Sequence, residues 1–225
     1  MKRAGYFSPM PPAHTGVADY SASLLPYLQA LGPIELDPPS CDVALYHIGN
    51  NPLHREIYWR ALAEPGVVVL HDATLNHLFL NLFDQDTYVA EFILNYGEWA
   101  RGMAETLWLE RSRSAADARY FVYPMLKRVV SSARAVIVHN PLAAMVVREH
   151  APEVSITEIP HLFVAPNLPA DTNAFRETLG LAPSTLLVGA FGHQRETKRL
   201  PSLVRAFDLA VRAGVDARLN FADEV

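Results

Sequence analysis

The sequence predicts an α/β protein whose first domain is built around a doubly wound parallel sheet. Short runs rich in β-branched residues alternate with longer helical patterns along the 225 residues. Each run is followed, directly or after one residue, by Gly, Pro, Asn or His. Runs such as VVVL and AVIV are apolar at every position rather than at alternate ones, which is typical of parallel strands covered by helices on both faces.

Six strands and four helical regions follow from this pattern. The predicted strands are 3–7, 33–36, 43–48, 66–70, 134–139 and 155–159, and the predicted helical regions are 17–31, 53–64, 76–133 and 142–150. The third helical region is far longer than an ordinary connection with its helix, which takes about twenty residues. We therefore predict a Rossmann-like domain over residues 1–165 that carries a helical insertion.

The insertion contains an apolar stripe at helical spacing, interrupted only by Gly97. The stripe consists of Phe92, Tyr96, Trp99, Met103 and Leu107. Because apolar helical faces are ordinarily buried, we expect it to pack inward. A surface that binds an acceptor or lipid is the alternative.

A second, shorter unit is predicted after residue 165. The segment FVAPNLPADTN has no helical period, so residues 166–183 are expected to form a linker and a short helix. Residues 184–225 then predict the first β-α-β of an incomplete α/β domain. This is too little material to close a core, so we expect a truncated domain that docks on the first domain or on a second copy of the chain, as a homodimer.

The composition excludes several classes of protein. Half of the residues are apolar and 19% are charged, which is typical of a globular chain. A formal net charge of -5 opposes nucleic-acid binding. No apolar run approaches the roughly 18 residues of a membrane span, and the start of the chain lacks a signal-peptide pattern. The only cysteine, Cys41, predicts neither an intrachain disulfide nor a structural metal site, and the cytoplasm is the expected compartment.

The first candidate site is the loop SPMPPAHTGVAD, which joins the first strand to the first helix. Gly16 removes a side chain where the amides at a helix start face a ligand. A rigid turn with Gly16 near the N-cap is the alternative. Asp19 would repel a phosphate at this helix end, so the loop suits sugar hydroxyls better.

The second candidate site is the pair His71 and Asp72, which directly follows the strand VVVL. A neutral imidazole donates one hydrogen bond and accepts another, so His71 can recognise a sugar hydroxyl or a phosphate. A structural histidine is the alternative. An HD pair also occurs in metal phosphohydrolases, but their fold is helical, whereas this pair follows a buried parallel strand.

The third candidate site follows the first strand of the second unit. Glycines ending at Gly192 lead into a basic cluster, HQRETKR, before a helix. Such an arrangement can cradle a diphosphate, and a solvated basic turn is the alternative. The sequence has no GxxxxGK[ST] motif, which removes the ordinary ATPase interpretation.

In this order the motifs resemble those of the GT-B glycosyltransferases, specifically the large retaining group called family 4. SPMPPAHTGVADYS resembles the family's first loop, and VVVLHD resembles its strand with a terminal histidine. VIVHN and EIPH resemble later landmarks of its first domain, and GAFGHQRETKRLPSLVRAF is similar to the opening of its nucleotide-binding domain.

The sequence departs from the family pattern at two points. Many members carry an arginine directly after the glycine of the second domain, where this chain has His193, which leaves Arg195 as a substitute. The family's pair of glutamates separated by seven residues in a Gly-Phe-Gly context is absent.

The resemblance implies transfer of a sugar from a UDP-, GDP- or similar donor to a hydroxyl acceptor, with retention at the anomeric carbon. It implies no cofactor and no requirement for a bound metal, and it leads us to nominate no protein nucleophile. The acceptors it implies are sugars, polysaccharides or lipid-linked sugars, with peripheral contact at the inner face of the membrane. The roles it implies are His71 for the transferring sugar, Gly16, Asp19 and Asp72 for the acceptor, and Gly192, Arg195 and Lys198 for the donor diphosphate.

Two other functions stay open at this point. A non-catalytic Rossmann-type domain that binds a sugar or a protein could dispense with a complete second domain. A nucleotide-sugar epimerase would bind a similar donor without any acceptor. Because the second domain is incomplete, we expect the 225-residue chain on its own not to catalyse transfer.

Overall fold

Contacts within the chain divide it into two units, Met1–Val164 and Ala165–Val225. The structure is a computed structural model that describes residues 2–165, 173–192 and 199–222.

A six-stranded parallel sheet forms the centre of the first unit. Its strands are β1 (Ala4–Phe7), β2 (Ile34–Leu36), β3 (Val43–Ile48), β4 (Val67–Leu70), β5 (Ala135–Val138) and β6 (Ile156–Glu158). They lie in the order β2-β1-β3-β4-β5-β6, and every neighbouring pair is parallel. The predicted α/β class and parallel sheet are thereby confirmed.

The strand order reverses next to β1. The chain leaves β1 toward β2 on one side and then returns to add β3 on the other side. Loops that leave the sheet at such a point run in opposite directions, so a crevice opens beyond the carboxyl ends of the strands. Ligands of doubly wound proteins bind in this crevice.

Helices flank the sheet and include the predicted insertion. The helices of this unit are α1 (Gly16–Leu31), α2 (Arg55–Ala63), α3 (Asn76–Leu82), α4 (Gln85–Tyr96), α5 (Arg101–Leu109), α6 (Arg119–Val122), α7 (Lys127–Ser132) and α8 (Pro141–His150). Helices α3 to α7 lie between β4 and β5 and form the insertion. Within the described residues, no helix is both long and apolar enough to span a membrane.

One apolar core joins the sheet to the insertion. Tyr46, Val68 and Val136 of the strands belong to the same buried cluster as Phe79 and Leu107 of the inserted helices. Fully burying a side chain of this kind contributes about 1.5–3 kcal/mol. The insertion is thus an integral part of the first unit and not an appendage on its surface.

The apolar stripe of the insertion is broken into two helices rather than continuous. Helix α4 ends at Gly97, whose φ of 91° is accessible to glycine without a steric penalty. Phe92 and Leu107 are fully buried as expected, but Trp99 is 80% exposed. The helical period does not continue through the break, so the inward placement predicted for Trp99 is wrong.

The second unit contains a parallel pair of strands. Strand β7 (Leu186–Phe191) pairs with β8 (Ala217–Ala222), and α10 (Leu200–Arg212) lies between them in the chain. Helix α9 (Asn173–Thr178) precedes β7. The described residues of this unit thus include a β-α-β arrangement.

Candidate functional site

Four histidines meet at the carboxyl edge of the parallel sheet. His47 lies in β3, His71 directly follows β4, His139 directly follows β5, and His161 comes shortly after β6. Neighbouring ring centroids are 5.2 Å apart for His47 and His71, 5.0 Å for His71 and His139, and 4.9 Å for His139 and His161. We call these four residues the histidine cluster. Parallel strands place their carboxyl ends at one edge, which brings the four side chains together.

Tyr20 of α1 packs against every member of the cluster. Its ring centroid lies 4.7 Å from that of His161 and 5.0 Å from that of His71, and it also contacts His47 and His139. Burial raises the pKa of Tyr20, so the phenol stays protonated. The tyrosine therefore anchors the first turns of α1 beside the cluster.

Two serines support this placement of α1. The hydroxyls of Ser8, directly after β1, and Ser21, on α1, lie 2.6 Å apart in a buried hydrogen bond. The Thr15 hydroxyl accepts a hydrogen bond from the Ala18 amide and caps the helix. Hydrogen bonds thus hold the loop 8–15 at both of its ends.

His47 and His71 share a hydrogen bond between ring nitrogens. Nδ1 of His47 lies 2.9 Å from Nε2 of His71. Burial is the main cause that lowers the pKa of His71 to about 2, and the charges of the neighbouring histidines are the second cause. The same two causes lower the pKa of His47 to about 3. Both rings are neutral at neutral pH, and one proton lies between them.

His139 and His161 each have one defined tautomer. Nδ1 of His139 lies 2.9 Å from the Ile159 carbonyl oxygen, and Nδ1 of His161 lies 3.2 Å from the Leu162 carbonyl oxygen. A carbonyl oxygen only accepts, so Nδ1 carries the proton in both neutral rings and Nε2 presents its lone pair. Nε2 of His139 is buried and has no hydrogen-bond partner within the described ranges 2–165, 173–192 and 199–222. Burial also lowers the pKa of His139.

Asp72 links the loops that follow β3 and β4. Its Oδ2 accepts a hydrogen bond of 2.8 Å from the Asn50 amide, and the Asn50 side chain accepts one of 3.0 Å from the Leu78 amide. Gly49 is buried beside them, and a Cβ there would lie 2.8 Å from Nε2 of His54 and 3.1 Å from Oδ2 of Asp72. This close approach leaves no room for a side chain.

The structure describes His71, predicted for the transferring sugar, and the three residues predicted for the acceptor. His71 is in the cluster and Asp72 is its exposed neighbour in the chain. Gly16 is the first residue of α1 and Asp19 lies in its first turn, both exposed. No atom lies within 4 Å of a Cβ built at Gly16, so packing does not require a glycine there.

Only part of the predicted diphosphate site lies in the described structure. Gly192 follows β7 with a φ of 91°, a conformation that favours glycine. Its amide donates a hydrogen bond of 2.9 Å to the Ala222 carbonyl. Arg195 and Lys198 lie outside the described residues.

Four residues of the site did not emerge as site residues from the sequence. Tyr20 and His47 lie within predicted elements, and His139 and His161 appear only inside the motifs VIVHN and EIPH. A signal was available: His139 is the last residue of one predicted strand, His161 comes shortly after another, and adjacent parallel strands end at one edge.

No model of a known protein family matches the sequence, and no curated protein is significantly similar to it. A function for this protein therefore has to be inferred from the chemistry of its site.

Proposed function

We propose that the protein is a retaining GT-B glycosyltransferase, which transfers a sugar from a nucleotide-diphosphate sugar to a hydroxyl acceptor. The observation that supports this most directly is the histidine cluster at the carboxyl edge of the sheet, beside the reversal of strand order. Ligands of doubly wound folds bind at this edge. The cluster offers several neutral donors and acceptors within one small region.

In this proposal, His71 forms a hydrogen bond with a hydroxyl of the transferring sugar. A sugar hydroxyl both donates and accepts, and a neutral imidazole can complement either role. The hydrogen bond to His47 supports this, because moving the shared proton changes whether His71 presents a donor or an acceptor to the ligand. A protonated ring would lose the acceptor.

Neutrality of the cluster also suits the charge that develops during transfer. Retaining transfer passes through an oxocarbenium-like state with positive charge on the sugar. Imidazolium ions would repel that charge, and the low pKa values of His47 and His71 keep both rings uncharged. Preorganised neutral dipoles can stabilise the transition state without this repulsion.

The acceptor is proposed to bind beside α1. Asp19 is exposed in the first helical turn, where its carboxylate can accept hydrogen bonds from acceptor hydroxyls, and Gly16 leaves the approach open. Asp72 would contribute the lone pairs that the Asn50 amide does not use. Gly192, Arg195 and Lys198 are proposed to hold the donor diphosphate, and sugars, polysaccharides or lipid-linked sugars at the membrane's inner face are the proposed acceptors.

The test is a transfer assay on the protein at the full length that its gene encodes. Labelled UDP-, GDP- and ADP-sugars are each combined with sugar and lipid-linked acceptors, and NMR of the product reports the anomeric configuration. Acceptor-dependent transfer with retention is expected. Conversion of the donor sugar without an acceptor would indicate an epimerase, and saturable sugar binding without turnover would indicate a binding domain. Either result contradicts the proposal.

A further inference from the structure

Three members of the histidine cluster have ligand nitrogens close to one another. One ring nitrogen from each of His71, His139 and His161 lies within 4.8 Å of the corresponding nitrogens of the other two. In His139 and His161 the lone pair is on Nε2, because their Nδ1 protons are donated to backbone carbonyls. Two hydrogen-bond acceptors cannot bond to each other, so a positively charged ion between the two Nε2 atoms could bind both lone pairs.

We propose that His71, His139 and His161 bind a divalent transition-metal ion of the Zn²⁺ type through their imidazole nitrogens. The inference does not depend on sugar transfer, because it concerns binding of the ion alone.

The second nitrogen of every proposed ligand is already held. Nδ1 of His139 and Nδ1 of His161 donate to the Ile159 and Leu162 carbonyls. Nε2 of His71 lies 2.9 Å from Nδ1 of His47. Metal-ligating histidines characteristically use their other ring nitrogen in this way, which fixes the tautomer and the ring orientation. In the metal-binding tautomer, His71 donates its Nε2 proton to His47 and coordinates through Nδ1.

Small side-chain movements bring these nitrogens to coordination distance. Two imidazole nitrogens on a tetrahedral zinc ion are about 3.3 Å apart, since each Zn–N bond is about 2.0–2.1 Å long. The nitrogens must therefore approach from their separation of up to 4.8 Å. His161 is the exposed member of the trio, so its side chain can move against less packing than those of His71 and His139. His71 and His139 are already held by their hydrogen bonds.

The ligand type selects the class of metal. Neutral imidazoles favour zinc, copper and nickel, whereas Mg²⁺ and Ca²⁺ require mainly oxygen ligands. No carboxylate belongs to the trio, so the ion would keep a net positive charge. Three protein ligands leave a fourth position on a tetrahedral ion for water or another small ligand.

The test is direct metal binding to the metal-free protein without any nucleotide sugar. Isothermal titration calorimetry with ZnCl₂ measures affinity and stoichiometry. Co²⁺ substitution reports tetrahedral nitrogen coordination through its visible absorption. We expect one Zn²⁺ per chain, and at least about 100-fold weaker binding in His139→Ala and His161→Ala, because losing a ligand should cost at least as much as losing a second-shell partner.

The control is His150→Ala, on α8. Nδ1 of His150 bonds the Val146 carbonyl, and His150 lies outside the trio, so the variant should bind Zn²⁺ like the wild type. The exposed His161 keeps the test valid if His139→Ala fails to fold. The proposal would be overturned if no Zn²⁺ bound at concentrations below about 100 μM, or if the wild type and His161→Ala bound Zn²⁺ with equal affinity. Neither result would contradict the proposed sugar transfer.

Discussion

Nδ1 of His47 lies 2.9 Å from Nε2 of His71, and the two neutral rings hold a single proton between them. The position of that proton decides whether the remaining nitrogen of His71 donates or accepts. Proposed sugar binding can use either form, whereas the proposed metal binding uses only the accepting form. The two proposals therefore place different requirements on His71, and the position of the proton that it shares with His47 decides which of them is met.

The first prediction concerns the turnover of the full-length protein. His71→Ala removes the proposed hydrogen bond to the reacting sugar and should lower kcat at least about tenfold, equivalent to about 1.4 kcal/mol. Steady-state kinetics and the melting temperature are measured together, with His150→Ala as the control. Unchanged kinetics with a much lower melting temperature would assign His71 a structural role.

The second prediction concerns the close packing of β4 on β3. A Cβ at Gly66 would lie 2.5 Å from the Ala44 carbonyl oxygen, and a backbone atom cannot move aside cheaply. Gly66→Ala should lower the free energy of unfolding by about 1–3 kcal/mol, the usual cost of overpacking. Urea denaturation followed by circular dichroism measures the change.

The matched control for Gly66 is Gly102, within α5. No atom lies within 4 Å of a Cβ built there. Gly102→Ala should raise the free energy of unfolding by about 0.5–1 kcal/mol, because alanine is the better helix former. Equal effects of the two substitutions would show that the close approach at Gly66 does not control stability.

The third prediction concerns stability at acidic pH and rests on His54, which is fully buried. Burial lowers its pKa, although the hydrogen bond to the His47 carbonyl and the charge of Asp72 oppose this. As the pH falls below the ordinary value of about 6.5, the unfolded chain binds a proton that the folded state excludes. Stability should therefore fall on acidification and be independent of this group at higher pH.

The variant His54→Asn isolates that contribution. Its amide can still donate to the His47 carbonyl, which lies 2.9 Å from Nδ1 of His54, but it does not titrate. Between pH 7.5 and 5.5 the variant should lose up to about 1.4 kcal/mol less stability than the wild type. Stability is measured at each pH by urea denaturation in the presence of EDTA. An identical dependence of stability on pH in the variant and the wild type would contradict the prediction.

The fourth prediction combines the two proposals and rests on both. A Zn²⁺ ion bound at His71 occupies the nitrogen that would contact the sugar, so Zn²⁺ should inhibit transfer and EDTA should restore it. The half-inhibitory concentration should rise at least about tenfold in His161→Ala, relative to that variant's own uninhibited rate. Full turnover at a Zn²⁺ concentration that saturates binding would show that His71 does not serve both ligands.

Much of the fold could be predicted from local sequence pattern. The six strands of the first unit coincide with the predicted runs to within one residue at each end, because an apolar run bounded by turn residues is a local property of the chain. The helical insertion followed from the long gap between β4 and β5. The break at Gly97 could not be predicted from the apolar spacing, since the stripe continues in the sequence while the backbone turns.

The sequence by itself determined that His71 follows a strand and lies at the carboxyl edge of a parallel sheet. Only the tertiary structure placed His47, His139 and His161 beside it, because these residues are distant in the chain and meet through strand order. It also decided which nitrogens are occupied, since the carbonyls of Ile159 and Leu162 fix two tautomers. The hydrogen bond from His139 to Ile159 and the burial of the cluster depend on residues that are distant in the chain, so the local sequence could not predict them.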